Sequence, residues 1–221
     1  MKHIKIFSSV SEYETSKSGG TLITPNVSLI NEDNSVRYLP ELDDPYNGHE
    51  FVDLGLPSGT KWATMNVGAS SETDYGNYYQ YGKGTAQYAA TLGDSNYVGT
   101  EDPLDSSVDT AVQVWGGSWH MPTKAQMEEL VANTTYEWVE NYKGSGINGG
   151  TFTATNGAVL FFPAAGNWYS GSLAYVGEGG NYWGSSPDDR DYAYILWFNI
   201  RSEFVNGSDR DSGYSVRPVV G

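Results

Sequence analysis

The sequence predicts an α+β fold of short antiparallel strands and few helices, preceded by a small βαββ unit at the N-terminus. From His49 to the end of the chain, short apolar runs alternate with turns marked by some of the 27 glycines. Only residues 123–132 carry a convincing amphipathic helix pattern. No repeat of 20–50 residues is present, so a solenoid or a propeller is not expected.

The first 40 residues form the predicted βαββ unit. Its elements are a strand, a helix opened by a Ser-x-x-Glu capping box, and two strands joined by a polar turn, at residues 4–7, 9–17, 21–30 and 35–39. A unit of this size buries little apolar surface alone. We therefore interpret residues 1–40 as an attachment unit.

Residues 41–48 are rich in proline, glycine and aspartate, which predicts a linker, and the main domain then spans residues 49–221. In its helix Thr123 is the predicted N-cap and Gln126 its capping-box partner. The strands predicted in this domain lie at residues 50–54, 60–67, 78–81, 151–155, 158–162, 181–184, 193–198 and 215–219.

Charge and composition exclude several classes of function. The formal net charge of −15, from 27 acidic and 12 basic side chains, disfavours nucleic acid and anionic membrane surfaces as partners. The chain has no cysteine, so it lacks disulfides, thiolate metal sites and thiol nucleophiles. No apolar run is long enough to insert into a membrane, and the N-terminal residues contain no standard signal peptide.

The aromatic content favours a binding function. The chain has 17 tyrosines and 7 tryptophans among abundant glycine, serine and asparagine. Tyrosine and tryptophan provide rigid contact area, and the small polar residues provide adaptable hydrogen bonds, as in antibody paratopes. The alternative is an ordinary glycine-rich β protein with an aromatic core.

Four motifs carry a resemblance to a known family. They are HEFVDLGLPSGTKWA, WGGSWHMPT, FPAAG, and YWGSS followed by SVRPV, at residues 49–63, 115–123, 162–166, 182–186 and 215–219. In this order they resemble the C-type-lectin-like domains, of the formylglycine-generating-enzyme-like fold, that are abundant in gut Bacteroidales and their phages. The resemblance covers residues 49–221.

Some members of that group are variable proteins of diversity-generating retroelements, in which adenine-directed copying rewrites codons near the 3′ end of the gene. The tail of this chain looks similar. The resemblance implies a phage tail-fibre protein or a surface-displayed adhesin, on the virion or the cell surface, whose partner is a host-cell surface protein or glycan. Fibre-like proteins are commonly symmetric, so we expect a homo-oligomer, with a trimer as the first expectation.

The residue types of the tail agree with such diversification. Randomising both adenines of an AAC codon never produces Lys, Gln, Met, Trp or Glu. Residues 188–214 contain no Lys, Gln or Met, and only Trp197 and Glu203 need a different template codon.

The predicted binding face lies in residues 188–214. Alternation along 193–198 makes both faces of a strand bulky, so that one face packs on a neighbour or is displayed, and the polar flanks predict solvated loops. Four aromatic anchors, Tyr192, Tyr194, Trp197 and Tyr214, are expected to dominate binding. The other predicted ligand-binding residues are Asp188, Asp189, Asp191, Asn199, Ile200, Arg201, Glu203, Ser208, Asp209, Asp211 and Ser212. The alternative is a plain hairpin with polar turns and no ligand.

No catalytic constellation is apparent, so we predict a protein that is not an enzyme and needs no cofactor. The three histidines are far apart in sequence, and no nucleophile elbow, phosphate loop or dinucleotide fingerprint occurs in a usable context. A glycoside hydrolase remains an alternative, because an acidic chain could bring two carboxylates within about 5–10 Å.

Calcium is the metal alternative. The pattern Asp188-Asp189-x-Asp191 and the pattern Asp209-x-Asp211 offer hard oxygen ligands on loops. The calcium-dependent sugar-binding signatures of lectins, Glu-Pro-Asn or Gln-Pro-Asp with Trp-Asn-Asp, do not occur, so a bridging calcium is not expected. The second function that stays open is a bacterial cell-surface or structural assembly module without a variable ligand.

Overall fold

The structure, a computed structural model, describes residues 28–30, 36–38, 44–83, 101–169 and 171–221. The chain divides into two compact units, Met1–Asp44 and Pro45–Gly221. In the first unit β1 (Ser28–Ile30) pairs antiparallel with β2 (Val36–Tyr38). The strand predicted at 4–7 and the helix predicted at 9–17 lie outside the described residues. The domain boundaries 1–40, 41–48 and 49–221 stay a prediction.

The second unit consists mainly of short strands. They are, in chain order, β3 (Phe51–Val52), β4 (Lys61–Ala63), β5 (Tyr79–Gln80), β6 (Thr134–Val139), β7 (Gly149–Ala154), β8 (Val159–Pro163), β9 (Asn167–Tyr169), β10 (Ser172–Ala174), β11 (Gly179–Pro187), β12 (Tyr192–Asn199), β13 (Glu203–Asp209), β14 (Gly213–Tyr214) and β15 (Val219–Val220). The helical elements of the described residues are α1 (Thr110–Val114), α2 (Lys124–Asn133) and a 3-10 turn at Tyr142–Gly144.

These strands form four small antiparallel sheets, ordered β10-β9-β14-β5, β11-β12-β13, β15-β4-β3 and β6-β7-β8. The predicted α+β class, a C-type-lectin-like domain behind a βαββ unit, is therefore wrong, because the described residues are mostly β. The physical reason is the shortness of the helices. With 5 residues in α1 and 10 in α2, helix packing contributes little beside the sheets.

Helix α2 confirms the helix prediction almost to the residue. Thr123 is the N-cap, its hydroxyl accepts from the Gln126 backbone N–H at 3.2 Å, and the Gln126 side chain accepts from the Thr123 backbone N–H at 2.9 Å. Met127 and Leu130 are buried against the sheets. Neither α1 nor α2, the α-helices of the described residues, is long and apolar enough to span a bilayer.

Strand β12 lies between the two hydrophobic cores of the second unit. Its residues Ala193 and Ile195 pack in one core, which contains Trp119 and Trp183, and Trp197 lies partly buried against it. Its residues Leu196 and Phe198 pack in the other core. The alternation predicted for 193–198 is correct. Both faces pack on neighbours, so the strand is a rigid support and its exposed side chains lie towards its ends.

A buried cation ties the C-terminus to this frame. The Arg217 guanidinium is fully buried and donates from Nε to the Asn66 Oδ1 at 2.8 Å and from Nη1 to the Ala63 carbonyl at 3.0 Å. It also lies 4.7 Å above the Phe162 ring. Burial lowers the pKa of Arg217 to about 10, which still leaves it charged at neutral pH.

Candidate ligand-binding groove

A groove of about 390 Å³ opens where the end of β12 meets the hairpin of β9 and β10. It is lined by Asn167, Tyr175, Glu178, Gly179, Asn181, Trp197, Asn199 and Tyr214. Another hollow, of about 460 Å³, lies beside the C-terminal end of α2 and is lined by threonines, one asparagine and small or aliphatic residues. That hollow presents no aromatic ring, so we take the first groove as the candidate site.

The floor of the groove is set by the register of three strands. Asn181 of β11 pairs with Trp197 of β12, which in turn pairs with Phe204 of β13. Side chains directly opposite each other lie on the same face of a sheet, so these three form one row. The rings of Trp197 and Phe204 are 4.5 Å apart at 30°. The row therefore places the Trp197 ring, packed on Phe204, next to the Asn181 carboxamide on the floor of the groove.

Asn199 lies at the end of this floor and has one side-chain atom without a partner. Its Oδ1 accepts from the backbone N–H of Arg201 at 2.8 Å and of Ser202 at 3.3 Å, which closes the turn between β12 and β13. Within the described part of the chain its Nδ2 donates to nothing. The turn therefore fixes the side chain and leaves two N–H donors available.

The outer rim of the groove is Tyr175, whose side chain is 65% exposed. Its backbone has φ of 58°, in the left-handed region that a tyrosine rarely adopts. Its carbonyl accepts from Glu178 N–H at 3.0 Å and from Gly179 N–H at 3.2 Å, which holds the turn. A side chain at Gly166 would collide with the Ala174 carbonyl, so glycine there lets this turn lie close to the chain. These backbone contacts hold the turn in its strained conformation, and the Tyr175 side chain is exposed at the rim.

Three further polar side chains of the groove have hydrogen-bonding capacity that the described residues do not use. The Asn167 carboxamide and the Glu178 carboxylate have no hydrogen bond or ion pair there. Asn181 donates from Nδ2 to the Gly166 carbonyl at 3.2 Å, and its Oδ1 accepts from none of the described groups. A few polar groups that converge beside aromatic rings in a concave site are typical of ligand sites.

Tyr214 closes the groove from the side of the core. It is only 6% exposed, its ring lies 4.5 Å from that of Trp183, and its hydroxyl is 2.7 Å from the Ser208 Oγ. Tyr214, one of the four predicted anchors, is therefore buried, and its hydroxyl connects β14 to β13 of the neighbouring sheet. The Tyr214 ring, held by these contacts, forms one wall of the groove.

At the other end of β12, Asp189 and Arg210 bind backbone groups of their own loop. The Asp189 Oδ1 accepts from the backbone N–H of Asp191 at 2.7 Å and of Tyr192 at 2.9 Å. Arg210, buried at 2% exposure, donates from Nε to the Tyr192 carbonyl at 3.1 Å and from Nη2 to the Asp189 carbonyl at 2.8 Å. With about 3.3 Å per residue, this end lies roughly 23 Å along the strand from Asn199.

The structure therefore separates the predicted site residues into groups. Trp197, Asn199 and Tyr214 line the groove, and Ile200 and Arg201 are exposed in the turn beside it. Tyr194 and Glu203 belong to the opposite face, where the Lys124 Nζ lies 4.0 Å above the Tyr194 ring. Those at or near the distant end are Asp188, Asp189, Asp191, Tyr192, Ser208, Asp209, Asp211 and Ser212, of which Ser212 is buried and the first four are exposed.

The calcium alternative has no geometric support in the described residues. No three Asp, Glu or His side chains there come together as a metal ion would require. Besides Asp189, the Asp209 carboxylate also accepts a loop N–H, from Asp211 at 3.0 Å. These aspartates cap turns.

The sequence prediction missed five of the groove residues, namely Asn167, Tyr175, Glu178, Gly179 and Asn181. They precede residue 188, where the predicted face began. The composition of the run NWYSGSLAYVGEGGN at 167–181 was a signal for a binding surface. It combines tryptophan and tyrosine with asparagine, serine and glycine, as binding loops do. Comparison of the chain with protein-family models, with curated proteins and with solved structures gave no match. The resemblance of the four motifs stays a prediction.

Proposed function

We propose that this protein is a non-enzymatic ligand-binding protein that binds its partner in the groove between Tyr175 and Trp197. One observation carries the proposal. Aromatic rings line the same groove as polar side-chain atoms that have no partner among the described residues. A ligand that enters the groove would replace water as the hydrogen-bond partner of these atoms.

The support beneath the groove favours tight, specific contact. Its floor belongs to the sheet β11-β12-β13, whose central strand is packed by a hydrophobic core on each face. A floor of this kind is ordered before the ligand arrives, so little conformational entropy is lost on binding.

The chemistry of the lining favours binding over hydrolysis. Among the described lining residues Glu178 is the one carboxylate, and none is a histidine, serine or lysine. A glycoside hydrolase needs two carboxyl groups within about 5–10 Å, and acyl transfer needs a nucleophile with a base. The groove supplies neither set.

In this proposal the protein is a receptor-binding protein of a phage tail fibre or a surface-displayed adhesin, with a host-cell surface protein or glycan as partner. Support comes from the motif resemblance and from the adenine-compatible residues at 188–214. Sequencing downstream of the gene tests the diversification. We expect a near-repeat of the last part of the gene that differs at adenines, beside a reverse transcriptase gene, and its absence would contradict the retroelement setting.

Binding to whole cells tests the function itself. Labelled protein is added to a panel of Bacteroidales strains, and cell-bound fluorescence is measured for wild type, for Trp197→Ala and for the control Val159→Ala. Val159 is 43% exposed on β8 and is not part of the groove. We expect wild type and the control to label at least one strain and Trp197→Ala to lose most of the signal. Equal labelling by all three, or no labelling by any, would contradict the proposal.

A further inference from the structure

We infer that the ligand of this groove is a neutral saccharide, bound without calcium. The inference rests on the proposed function and names the chemistry of the partner. It follows from three properties of the described lining: the mixture of hydrogen-bonding groups, the position of the rings, and the charge.

The unpartnered polar atoms include both donors and acceptors at close quarters. Asn199 offers its Nδ2 donors, Asn181 offers its Oδ1 acceptor, and the Asn167 carboxamide offers both kinds. A sugar hydroxyl donates one hydrogen bond and accepts others, so adjacent hydroxyls satisfy such a mixture. One hydrogen bond fixes the Asn181 side chain and two fix that of Asn199, so that the remaining atom of each points in a defined direction.

The rings supply the apolar part of sugar recognition. Sugar rings present C–H groups on their faces, and these pack on the flat surface of an aromatic side chain. Trp197 is half-buried on the floor, held by the Phe204 ring at 4.5 Å, and Tyr175 projects from the rim. A ring held by its neighbours loses little freedom when a ligand covers it.

Charge selects for neutral sugars. The lining described above contains no cationic side chain, and the Glu178 carboxylate is exposed at its edge. The formal net charge of the chain is −15. Sulfated, sialylated or uronic-acid sugars would meet repulsion from both, without an arginine or lysine in the groove to bind the anion.

An extended peptide fits the groove less well. Peptides that add to a sheet need an unpaired strand edge. At the groove β12 is paired on both sides, and β9 is paired with both β10 and β14. The edge strand β10 contributes no residue to the lining. The available groups are side-chain atoms in a hollow of about 390 Å³, within the range of about 300–1,000 Å³ usual for small-molecule sites.

A printed array tests the inference with defined probes. The full chain is applied to immobilised neutral glycans and to sialylated and sulfated glycans, in the presence of EDTA, and the free methyl glycoside of the strongest neutral ligand is then titrated by calorimetry. We expect binding to at least one neutral glycan and no binding to the charged series. Absence of binding to every neutral glycan, or preference for the charged series, would overturn the inference.

Matched variants test whether a bound glycan lies in the groove. Asn199→Asp keeps the Oδ1 acceptor that closes the turn and removes the Nδ2 donors, so it separates binding from folding. We expect Trp197→Ala and Asn199→Asp each to weaken the glycan at least about tenfold, and Val159→Ala to stay within about twofold of wild type. Glu178→Gln should raise the signal of the charged glycans relative to the neutral ones. A neutral glycan bound equally by Asn199→Asp, Trp197→Ala and wild type would place the sugar elsewhere and overturn the inference.

Treatment of the cells before the labelled protein is added separates this inference from the function proposed above. Periodate cleaves vicinal diols of sugars, whereas a protease removes surface proteins. Loss of Trp197-dependent labelling after periodate supports the saccharide. Labelling that is lost after protease and survives periodate would mean a protein ligand, so that the saccharide inference fails while ligand binding in the groove stands.

Discussion

The two ends of strand β12 have similar compositions and different chemistry. Both ends carry polar residues, an arginine and an aromatic side chain. At the acidic end the Asp189 carboxylate and the Arg210 guanidinium bind backbone groups of their own loop. At the groove end, Asn167, Asn181 and Asn199 keep atoms that the described residues leave without partners. The fold therefore uses the hydrogen-bonding groups of Asp189 and Arg210 and leaves these atoms of the three asparagines available to a ligand.

The largest expected effect on stability concerns the acidic end. Arg210→Ala removes two charged hydrogen bonds to carbonyls and the packing of the guanidinium 4.8 Å above the Tyr81 ring. We expect the free energy of unfolding to fall by about 3 kcal/mol, measured by urea denaturation. Ligand binding should survive at temperatures where the variant is folded.

The matched control for that change is Arg201→Ala. Arg201 is exposed at the groove end, and its side chain has no hydrogen bond or ion pair among the described residues. Its removal should change the free energy of unfolding by less than about 0.5 kcal/mol. If the two substitutions lower the free energy of unfolding by the same amount, the contrast between the two ends is wrong.

The next effect concerns affinity and compares two aromatic residues of one strand. Trp197 lines the groove, whereas Tyr192, 45% exposed, lies at the acidic end. We expect Trp197→Ala to weaken the ligand at least about tenfold, or about 1.4 kcal/mol, and Tyr192→Ala to leave affinity within about twofold. Calorimetric titration of both variants measures this. A comparable loss in Tyr192→Ala would extend the site to the acidic loops and restore the wider face predicted from the sequence.

Local signals in the sequence predicted local structure well. The capping box of Thr123 and Gln126 predicts α2 because both partners lie within one helical turn. The alternation at 193–198 predicts β12 and its two packed faces for a similar reason, since a strand places successive side chains on opposite faces. The fold class failed because it depends on how much helix the whole chain forms, which one good capping box does not determine.

The groove could not be assembled from sequence patterns. It joins β9, the turn at Tyr175, and the facing positions Asn181 and Trp197, which come together through strand pairing and the bridge of Gly166 to Gly180. Neither a period nor a spacing in the sequence encodes these pairings. The acidic loops misled the prediction for a related reason: whether an aspartate oxygen caps a turn depends on the backbone conformation around it.

A smaller effect distinguishes two neighbouring aspartates of the acidic end. The Asp189 Oδ1 accepts two backbone N–H groups, while Asp188 has no side-chain hydrogen bond to another described residue. We expect Asp189→Ala to lower the free energy of unfolding by about 1 kcal/mol and Asp188→Ala to change it by less than about 0.5 kcal/mol. Urea denaturation of the pair checks this. Equal losses would mean that the loop is held by charge alone.

The smallest expected effect is that of calcium on the acidic end. A loop that bound calcium in the native state would be stabilised by the ion in proportion to its saturation. Because Asp189 and Asp209 each direct an oxygen to a backbone N–H, their carboxylates are already oriented by the turns they cap. We expect millimolar calcium or EDTA to move the melting temperature by less than about 1 °C, measured by scanning calorimetry. A melting temperature that rises by several degrees with calcium, and does not rise in Asp189→Ala, would show that the acidic end binds a metal ion. Both ends of β12 would then be binding sites.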